Sequence, residues 1–392
     1  MAKGKGGFIG QDGLNAPDSP TSASASGGNT QATVSFTAPS DVGGSAITGY
    51  RAQSNDGIGA SGSSSPITVT GLTNGTSYTF NVWAINAFGY SAPSDTTNSV
   101  TPALLQRALF AGGSSNIIDY VDITTAGNAT DFGDLIASDR FLGGFGSATR
   151  GIFSGGDNTN RIQYVTIATT GNAIDFGDMS YTPDNTAEMG CSNSTRGLTG
   201  GGYNGAWQNN IDYVTIATTG NGTDFGNLTN GRYGVSALAS PTRGVWCGGE
   251  TSSGFSNILD YVTISSTGNA SDFGDLTNVR RDSASLSSST RGVIGGSYTS
   301  PGSAPYYQNL DYITIASTGN ASDFGDATTA FTAGMGTSGS TKGLFALGFT
   351  GSTVNTIDQI TIASTGNASD FGDLTSARSS GTATSSYHGG LQ

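Results

Sequence analysis

The residues of this chain best suited to chemistry are aspartates that recur within a fixed motif. Clustered carboxylates are ligands for hard cations such as Ca²⁺, and the letters Asp-Phe-Gly also mark a magnesium ligand in protein kinases. The sequence contains neither a kinase nucleotide loop nor an Asp-x-Asp-x-Asp-Gly calcium loop. Because the motif is repeated, we expect a structural role, with the Phe in the core and the Asp at a turn; calcium binding is the alternative. The copies are Asp131–Asp134, Asp175–Asp178, Asp224–Asn227, Asp272–Asp275, Asp323–Asp326 and Asp370–Asp373.

Groups for acid–base or nucleophilic catalysis are scarce. The chain has one histidine, His388, and two glutamates, Glu188 and Glu250. Its two cysteines, Cys191 and Cys247, match neither a zinc-ligand spacing nor a disulfide framework. A Ser-His-Asp triad is therefore not expected, and the Ser-x-Asp-x-Gly-x-x-Trp repeat of six-bladed sialidases does not occur. We expect a protein without catalytic residues, metal or cofactor, and keep a glycan-active enzyme as an alternative.

Composition restricts both the fold and the partners. The 392 residues include 62 Gly, and only 11% are charged. Gly, Ser, Thr, Asn and Asp favour turns and strands, which excludes a helical bundle or a doubly wound α/β enzyme. The net charge of −13 argues against a nucleic-acid partner. No apolar run is long enough for membrane insertion, and the first residues lack a signal-peptide pattern.

The elements that carry the aspartate motif belong to a sixfold repeat. The tripeptide Ala/Thr-Gly-Asn recurs six times at spacings of 44 to 51 residues. Each repeat predicts four strands, a to d: a small Ser/Ala-rich strand, a strand usually ending in Gly-Gly, an Ile-Asp-Tyr-Val-Thr-Ile strand, and the strand with Phe-Gly-Asp. A lone sheet with two apolar faces is unstable, whereas six around an axis bury one another's faces. The sequence therefore predicts a six-bladed β-propeller over residues 104–392, with repeats of kelch size.

The two ends of the repeat region favour a closed ring. The first repeat begins at strand b, without a strand a before it, and one extra stretch like strand a follows the last repeat, at about Ser379–Tyr387. We expect this stretch to complete the first blade. The fold prediction is thus all-β, with an N-terminal sandwich followed by a six-bladed β-propeller closed by the C-terminal strand.

Residues 17–102 resemble a fibronectin type III domain. Ala32–Phe36 and Ile67–Thr70 alternate as strands do, and Gly71-Leu72 followed by Tyr78 matches the corner tyrosine of that family. Phe36 stands where the family often has a core Trp, a change that packing tolerates. The resemblance implies a β-sandwich in which the Tyr78 hydroxyl ties a turn back to the backbone.

The repeats resemble known families as well. Their Gly-Gly strand is similar to a kelch blade, although the Trp usual near the last kelch strand is missing. The recurring Asp-Tyr-Val-Thr-Ile, Thr-Gly-Asn-Ala and Asp-Phe-Gly-Asp-Leu pattern resembles repeats in virion proteins of tailed bacteriophages, especially marine ones. A fibronectin type III module before such repeats is similar to phage tail and fibre proteins. The resemblance implies a virion structural protein, present in multiple copies, assembled in the host cytoplasm and exposed on the particle, with other virion proteins as partners.

Variation among the repeats separates two faces of the predicted propeller. Because strands alternate in direction, the a–b and c–d turns share one face, and the b–c and d–a loops share the other. On the first, named the uniform face, the repeats agree in Thr-Arg-Gly, as at Thr149–Gly151. On the second, named the variable face, the b–c loops differ in length and four of them are long. The d–a loops of this face add Tyr181, Arg232, Arg280 and Arg281.

Aromatic residues in the loops of the variable face suit recognition of a glycan or a protein, because rings offer flat apolar area at low entropic cost. Capping of the blades is the alternative role for these rings. The chain enters at the uniform face, so we expect Met1–Ala16 and residues 17–102 to attach to the particle, leaving the variable face toward a host surface. A capsid or tail decoration protein is the alternative. The candidate ligand-binding residues are Tyr203, Trp207, Phe255, Tyr298, Tyr306, Tyr307 and Phe349.

Overall fold

Short segments of alternating apolar and small residues form strands throughout the described chain, and the all-β prediction is confirmed. The computed structural model describes residues 15–104, 106–183, 189–298 and 306–391. The chain divides into two compact units, Met1–Leu105 and Gln106–Gln392. The predicted anchor segment Met1–Ala16 lies almost entirely outside the described residues. In the described part, no helix has the length and apolar character needed to cross a membrane.

The first unit is a sandwich of two antiparallel sheets. Its described strands are β1 (Thr21–Gly28), β2 (Gln31–Thr37), β3 (Gly49–Ser54), β4 (Gly59–Gly62), β5 (Ile67–Thr70), β6 (Phe80–Asn86) and β7 (Gly89–Tyr90). The strand orders are β1-β2-β5 and β4-β3-β6-β7. The ring of Phe36 lies 4.8 Å from that of Tyr50 in the core. The Tyr78 hydroxyl accepts a hydrogen bond from the backbone N–H of Thr73 at 3.0 Å, which confirms the predicted tie.

The second unit contains six successive antiparallel sheets within its described residues. Sheet 1 consists of β8 (Arg107–Gly112), β9 (Ser115–Asp122), β10 (Thr130–Asp139) and the last strand of the chain, β32 (Gly381–Ser385). Sheet 2 consists of β11 (Leu142–Gly146), β12 (Arg150–Gly155), β13 (Arg161–Thr166) and β14 (Ile174–Asp178). Sheet 3 consists of β15 (Gly190–Ser192), β16 (Arg196–Gly200), β17 (Asn210–Thr215) and β18 (Thr223–Asn227).

Sheets 4 to 6 repeat this order. Sheet 4 consists of β19 (Ser236–Ala239), β20 (Arg243–Cys247), β22 (Gly254–Thr263) and β23 (Ser271–Arg280), with a short extra strand β21 (Glu250–Thr251) paired to β22. Sheet 5 consists of β24 (Ala284–Ser287), β25 (Arg291–Gly295), β26 (Asn309–Thr314) and β27 (Ser322–Asp326). Sheet 6 consists of β28 (Met335–Ser338), β29 (Lys342–Ala346), β30 (Thr356–Thr361) and β31 (Ser369–Asp373).

The first sheet is completed by the end of the chain, as predicted. Strand β32 pairs with β8, with Gly381 opposite Gly112 and Ser385 opposite Ala108. The strand that takes this place in each sheet is buried on both faces, as in β19 and β24. Small residues allow close approach there, and residues of the equivalent strands of all six sheets line one cavity of about 50 Å³.

The contacts between successive sheets follow one pattern. The Gly N–H of each Gly-Asn turn donates to the Phe carbonyl of the preceding sheet. The Asn side chain of the turn accepts from the backbone N–H two residues after that Phe, which belongs to Asn227 in sheet 3 and to an Asp in the other sheets. Between sheet 6 and sheet 1, Gly127 donates to Phe371 at 2.8 Å, and Asn128 accepts from Asp373 at 3.1 Å. The other Gly-to-Phe bonds join Gly171 to Phe132, Gly220 to Phe176, Gly268 to Phe225, Gly319 to Phe273 and Gly366 to Phe324.

This close approach explains the glycine of the Phe-Gly-Asp motif. Gly372 has a φ of +150°, and a Cβ there would lie 2.4 Å from the carbonyl oxygen of Gly127. A bulge in the pairing of β30 with β31 precedes it, and Phe371 is buried, with 2% of its side chain exposed. The predicted core position of the Phe is therefore confirmed. The prediction that the Asp lies at a turn is wrong, because Asp370 belongs to β31.

The arginines of the uniform face also join neighbouring sheets. The guanidinium of Arg150 lies 4.6 Å from the ring centre of Tyr164 in its own sheet, and its Nη1 donates to the Ile216 carbonyl of the next sheet at 2.9 Å. Lys342 of sheet 6 reaches the Thr124 carbonyl of sheet 1 at 3.3 Å. The agreement of the repeats on this face thus has a packing cause. The same contacts recur at Arg107, Arg196, Arg243 and Arg291.

We predict that Gly372→Ala weakens the junction of sheets 6 and 1. The new methyl group meets the Gly127 carbonyl and the backbone must leave its left-handed conformation, which costs about 2–4 kcal/mol. Gly127→Ala is the matched control, because a Cβ at Gly127 meets nothing within 4 Å. Chemical unfolding of both variants measures the difference. Equal free energies of unfolding for the two variants would contradict the role given to this contact.

Candidate recognition surface

The long loops of the variable face begin where a strand ends in glycine. At Gly249 φ is +100°, and a Cβ would lie 2.5 Å from a valine methyl group, so no other residue fits without rearrangement. The chain turns there and returns in a short hairpin that displays aromatic side chains. Backbone bridges pair Tyr203 with Trp207 and Tyr298 with Tyr306. Loop geometry thus brings rings together on this face.

Aromatic side chains from sheets 3 to 6 form a series of contacts, which we name the aromatic ridge: Trp207, Tyr203, Tyr233, Phe255, Tyr298, Tyr306 and Phe349. In its first part, the ring centre of Tyr203 lies 5.5 Å from Trp207 and 5.6 Å from Tyr233. In its second part, the ring of Tyr306 lies 5.4 Å from Tyr298 and 5.7 Å from Phe349. The edge-to-face contacts within it are of a kind that stabilises packed rings.

Arg281 joins the two parts of the ridge. Its guanidinium carbon lies 5.3 Å from the ring centre of Tyr233, 5.2 Å from Phe255 and 5.5 Å from Tyr298. Such cation–π contacts are attractive, and they gain strength when water is excluded. One cation therefore holds three rings from neighbouring loops.

Two carboxylates pair with the guanidinium of Arg281. Its Nη1 lies 2.6 Å from Glu250 and its Nε 3.0 Å from Asp282, and Nη1 also donates to the Tyr233 hydroxyl at 2.7 Å. Burial acts to lower the pKa of Arg281, but the negative charge of Asp282 and the other partners raise it overall. Burial raises the pKa of Asp282, and Arg281 opposes that change. The cluster therefore fixes the ridge while each of its charged side chains has an ion-pair partner.

Six of the seven candidate residues lie in the ridge: Tyr203, Trp207, Phe255, Tyr298, Tyr306 and Phe349. Trp207 is the most open, with 37% of its surface exposed, and the others are half-buried. Tyr307 does not join them. Its ring covers the buried guanidinium of Arg280 at 5.1 Å. Sequence reasoning missed Tyr233, although its place beside Arg232 in a loop of the same face was a usable signal.

The expectation that Arg232 and Arg280 contribute to the variable surface is wrong. Both side chains are fully buried, with Arg232 2.9 Å from Asp260 and Arg280 3.1 Å from Asp311 of the following sheet. Burial lowers the pKa of Arg232, and Asp260 opposes that change. Tyr181 is also structural, because its hydroxyl donates to the Gly201 carbonyl at 2.9 Å. These residues join sheets rather than bind ligands.

Two grooves lie beside these loops. The first, named the neutral groove, has a volume of about 550 Å³ and runs between Trp207 and Phe255. The second, named the charged groove, has a volume of about 500 Å³ and contains Asp139, Arg140, Asp157 and Arg161. In the charged groove Arg140 pairs with Asp157, and burial raises the pKa of Asp139. The remaining lining of the neutral groove is Ala206, Asn230, Gly231, Thr251, Ser252, Ser253, Ser256, Asn257 and Ile258.

The groups suited to catalysis do not come together. His388 lines the small cavity shared by the six sheets, where its Nε2 lies 3.0 Å from the Gly146 carbonyl and its Nδ1 accepts from the Gly390 N–H at 3.2 Å. Glu250 is paired with Arg281, and Glu188 lies outside the described residues. Cys191 and Cys247 are buried thiols without a disulfide. No group of three or more metal-ligating side chains occurs in the described segments.

Comparison with known proteins identifies the first unit. The family model for the fibronectin type III domain matches residues 16–100. This unit is a fibronectin type III domain. Among solved structures, a crystal structure of domains A168-A170 from titin is similar, with 29% identity and a TM-score of 0.21. The match covers 22% of this chain and 32% of the titin chain, so the chain spans about a third of that fragment. A search of the curated proteins found no match.

The aromatic ridge lies in the second unit, outside the fibronectin type III domain matched at residues 16–100. Its stability can therefore be tested with substitutions in the second unit. We predict that Arg281→Gln lowers the free energy of unfolding by about 1–3 kcal/mol, because Glu250 and Asp282 lose their cation and three rings lose a shared contact. Arg140→Gln is the control, since the Arg140–Asp157 pair is 48% and 35% exposed, and should cost less than about 1 kcal/mol. Chemical unfolding compares the two variants; equal losses would contradict the organising role of Arg281.

The His388 environment predicts a pH dependence of stability. Burial lowers the pKa of His388 from its ordinary value to about 4, although the Gly146 carbonyl opposes this. The neutral imidazole is favoured in the folded state, so the stability it contributes is complete above pH 6.5 and is lost as the pH falls toward 4. We expect wild type to lose about 2–3 kcal/mol more than His388→Asn over this window. Parallel curves of unfolding free energy against pH for the two proteins would contradict the prediction. The difference can be assigned to His388 because the chain has one histidine.

Proposed function

We propose that this chain is a non-catalytic attachment protein that binds a surface ligand through the aromatic ridge on its variable face. The observation that carries the proposal is the ridge itself. Seven rings from four sheets are gathered on the face where the repeats differ, whereas the uniform face repeats the same packing contacts. Clustered aromatic side chains beside an arginine are typical of binding hot spots.

The state of the ridge before binding supports this role. Edge-to-face contacts and Arg281 hold the rings in place, so little side-chain entropy remains to be lost when a ligand binds. If the rings only capped the blades, each ring would need to pack against its own sheet alone. Capping does not require rings of four sheets to meet, nor a cation between them.

The proposal takes the six sheets as the blades of a closed six-bladed β-propeller of kelch-like repeats. Its support is the identity of the junctions, since the Gly-to-Phe bond between sheets 6 and 1 matches the bonds between consecutive sheets. The common cavity lined by all six innermost strands supports the same arrangement. In a closed propeller the b–c and d–a loops converge on one side, which places the ridge on a single surface.

We further propose that the protein belongs to the virion of a tailed bacteriophage, as a tail-fibre or other tail-associated component. The support is the resemblance of the repeats to virion proteins and the presence of a fibronectin type III domain before them. In this role that domain and the segment before it contact other virion proteins, and the variable face contacts the host. Immunogold labelling of particles of the phage that carries the gene tests this placement; unlabelled particles that contain no copy of the chain would overturn it.

We predict that Tyr298→Ala combined with Tyr306→Ala strongly weakens attachment. The purified, fluorescently labelled chain is mixed with a panel of marine bacterial isolates, and cell labelling is measured by flow cytometry. Loss of two central rings should reduce affinity at least about tenfold on strains that wild type labels. Tyr90→Ala is the matched control, because Tyr90 is 56% exposed but lies in the fibronectin type III domain.

Three outcomes of this experiment would count against the proposal. Wild type that labels no strain has no attachment function of the kind proposed. If the double variant labels cells as well as wild type, the binding site lies elsewhere. The same conclusion follows if the Tyr90→Ala variant loses binding. Failure of virion assembly on deletion of the gene, without any cell binding, would favour the decoration role instead.

A further inference from the structure

We propose that the neutral groove beside Trp207 and Phe255 is the ligand subsite of this face and binds an uncharged saccharide segment. The inference rests on the proposed function, since it names the ligand class of the same face.

The groove has the dimensions of a ligand site. Its volume of about 550 Å³ falls within the range of about 300–1,000 Å³ for small-ligand pockets. One wall comes from the loop that carries Trp207, and the other from the hairpin of β21 and β22. The backbone at Gly231 approaches closely, because a Cβ there would lie 2.5 Å from the Trp207 carbonyl oxygen. The glycine thus allows the floor to pack against the tryptophan loop.

Two aromatic side chains border the groove from different sheets. Trp207 is 37% exposed and its indole packs edge-on against Tyr203 at 5.5 Å. Phe255 is held beneath Arg281 at 5.2 Å. Pyranose rings carry apolar faces of C–H groups, and flat aromatic rings offer a matching surface with little entropy to lose. The arrangement suits a ligand that is apolar on its faces and polar at its edges.

The polar lining is made of amides and hydroxyls with unused capacity. Among the described residues, no protein partner hydrogen-bonds to the side chains of Asn230, Ser252 or Asn257. Amide and hydroxyl groups both donate and accept, as sugar hydroxyls do. Such a lining satisfies hydroxyl groups at the edge of a sugar ring. A peptide side chain would leave most of these groups without a partner, which favours a saccharide over a protein.

No charged residue lines this groove. The neighbouring cluster of Arg281 with Glu250 and Asp282 has one cation and two carboxylates, so it offers no unpaired cation to the groove. An acidic saccharide would find no cation in the lining and would be repelled by a chain of net charge −13. The charged groove of the same chain differs in this respect, because Arg140 and Arg161 belong to its lining. The neutral groove therefore selects an uncharged ligand.

The test uses the full chain and the bacterial strains that it labels. Trp207→Ala and Phe255→Ala are each expected to lower affinity at least about tenfold, and Trp207→Phe is expected to recover part of it because a ring remains. Ile174→Ala is the control, since Ile174 is an apolar residue 56% exposed on the edge strand β14. Unchanged melting temperatures show that the variants are folded.

The chemical class is tested on the same cells. Mild periodate, which cleaves the vicinal diols of sugars, should abolish labelling, whereas protease treatment should leave it intact. Because the ligand is uncharged, affinity should change less than about twofold between 50 and 500 mM NaCl. Loss of labelling after protease alone, or a fall of tenfold or more with salt, would overturn the inference in favour of a protein or an acidic glycan.

The results also separate this inference from the function on which it rests. If Trp207→Ala and Phe255→Ala bind as wild type while the Tyr298 and Tyr306 double variant does not, the face binds but the groove is not the subsite. If all of these variants bind as wild type, both proposals fail. Loss of binding in the groove variants and in the Tyr298 and Tyr306 double variant, together with periodate sensitivity, supports both.

Discussion

The contact between one Gly-Asn turn and the bulged outer strand of the preceding sheet governs the second unit. It supplies a backbone hydrogen bond to a Phe carbonyl, a second bond in which the Asn side chain accepts from a backbone N–H, and a position at which only glycine fits, as at Gly372. Each hydrogen bond contributes only about 1 kcal/mol net. Because the same contact recurs at every junction, the sheets can be held with few charges and small side chains.

Because the repeated contacts between sheets lie on the uniform face, the loops of the variable face can differ among the repeats. The arginines of the uniform face are committed to packing, as Arg150 shows with its contacts to two sheets. Buried pairs such as Arg232 with Asp260 join neighbouring sheets at positions where an unpaired charge would be costly. The b–c loops carry none of the repeated Gly-Asn junction bonds. Loops of different length can therefore follow the same strands, and the ridge can be built without disturbing the junctions.

Much of the fold could be predicted from sequence periodicity, because the residue pattern of each repeat predicts its own strands. The buried Phe of the motif and the pairing of the C-terminal stretch with β8 were predictable from the repeat pattern, and the Tyr78 tie was implied by the resemblance to fibronectin type III domains. The partners of Arg232 and Arg280 were not, because each arginine pairs with an aspartate of the next sheet and the offset between sheets is absent from a one-dimensional pattern. For the same reason the loop sequences predicted six rings of the ridge and missed Tyr233. They also led to the inclusion of Tyr307, whose ring covers Arg280 instead.

The assignment of faces depends on the junction between the last sheet and the first being equivalent to the others. Native-state hydrogen exchange of the six Gly-Asn amides measures this directly. We predict that the Gly127 amide, which donates to Phe371, exchanges as slowly as the Gly220 amide and only through global unfolding. Rapid exchange at Gly127 with slow exchange at the other five turns would contradict a closed arrangement and the single recognition face that follows from it.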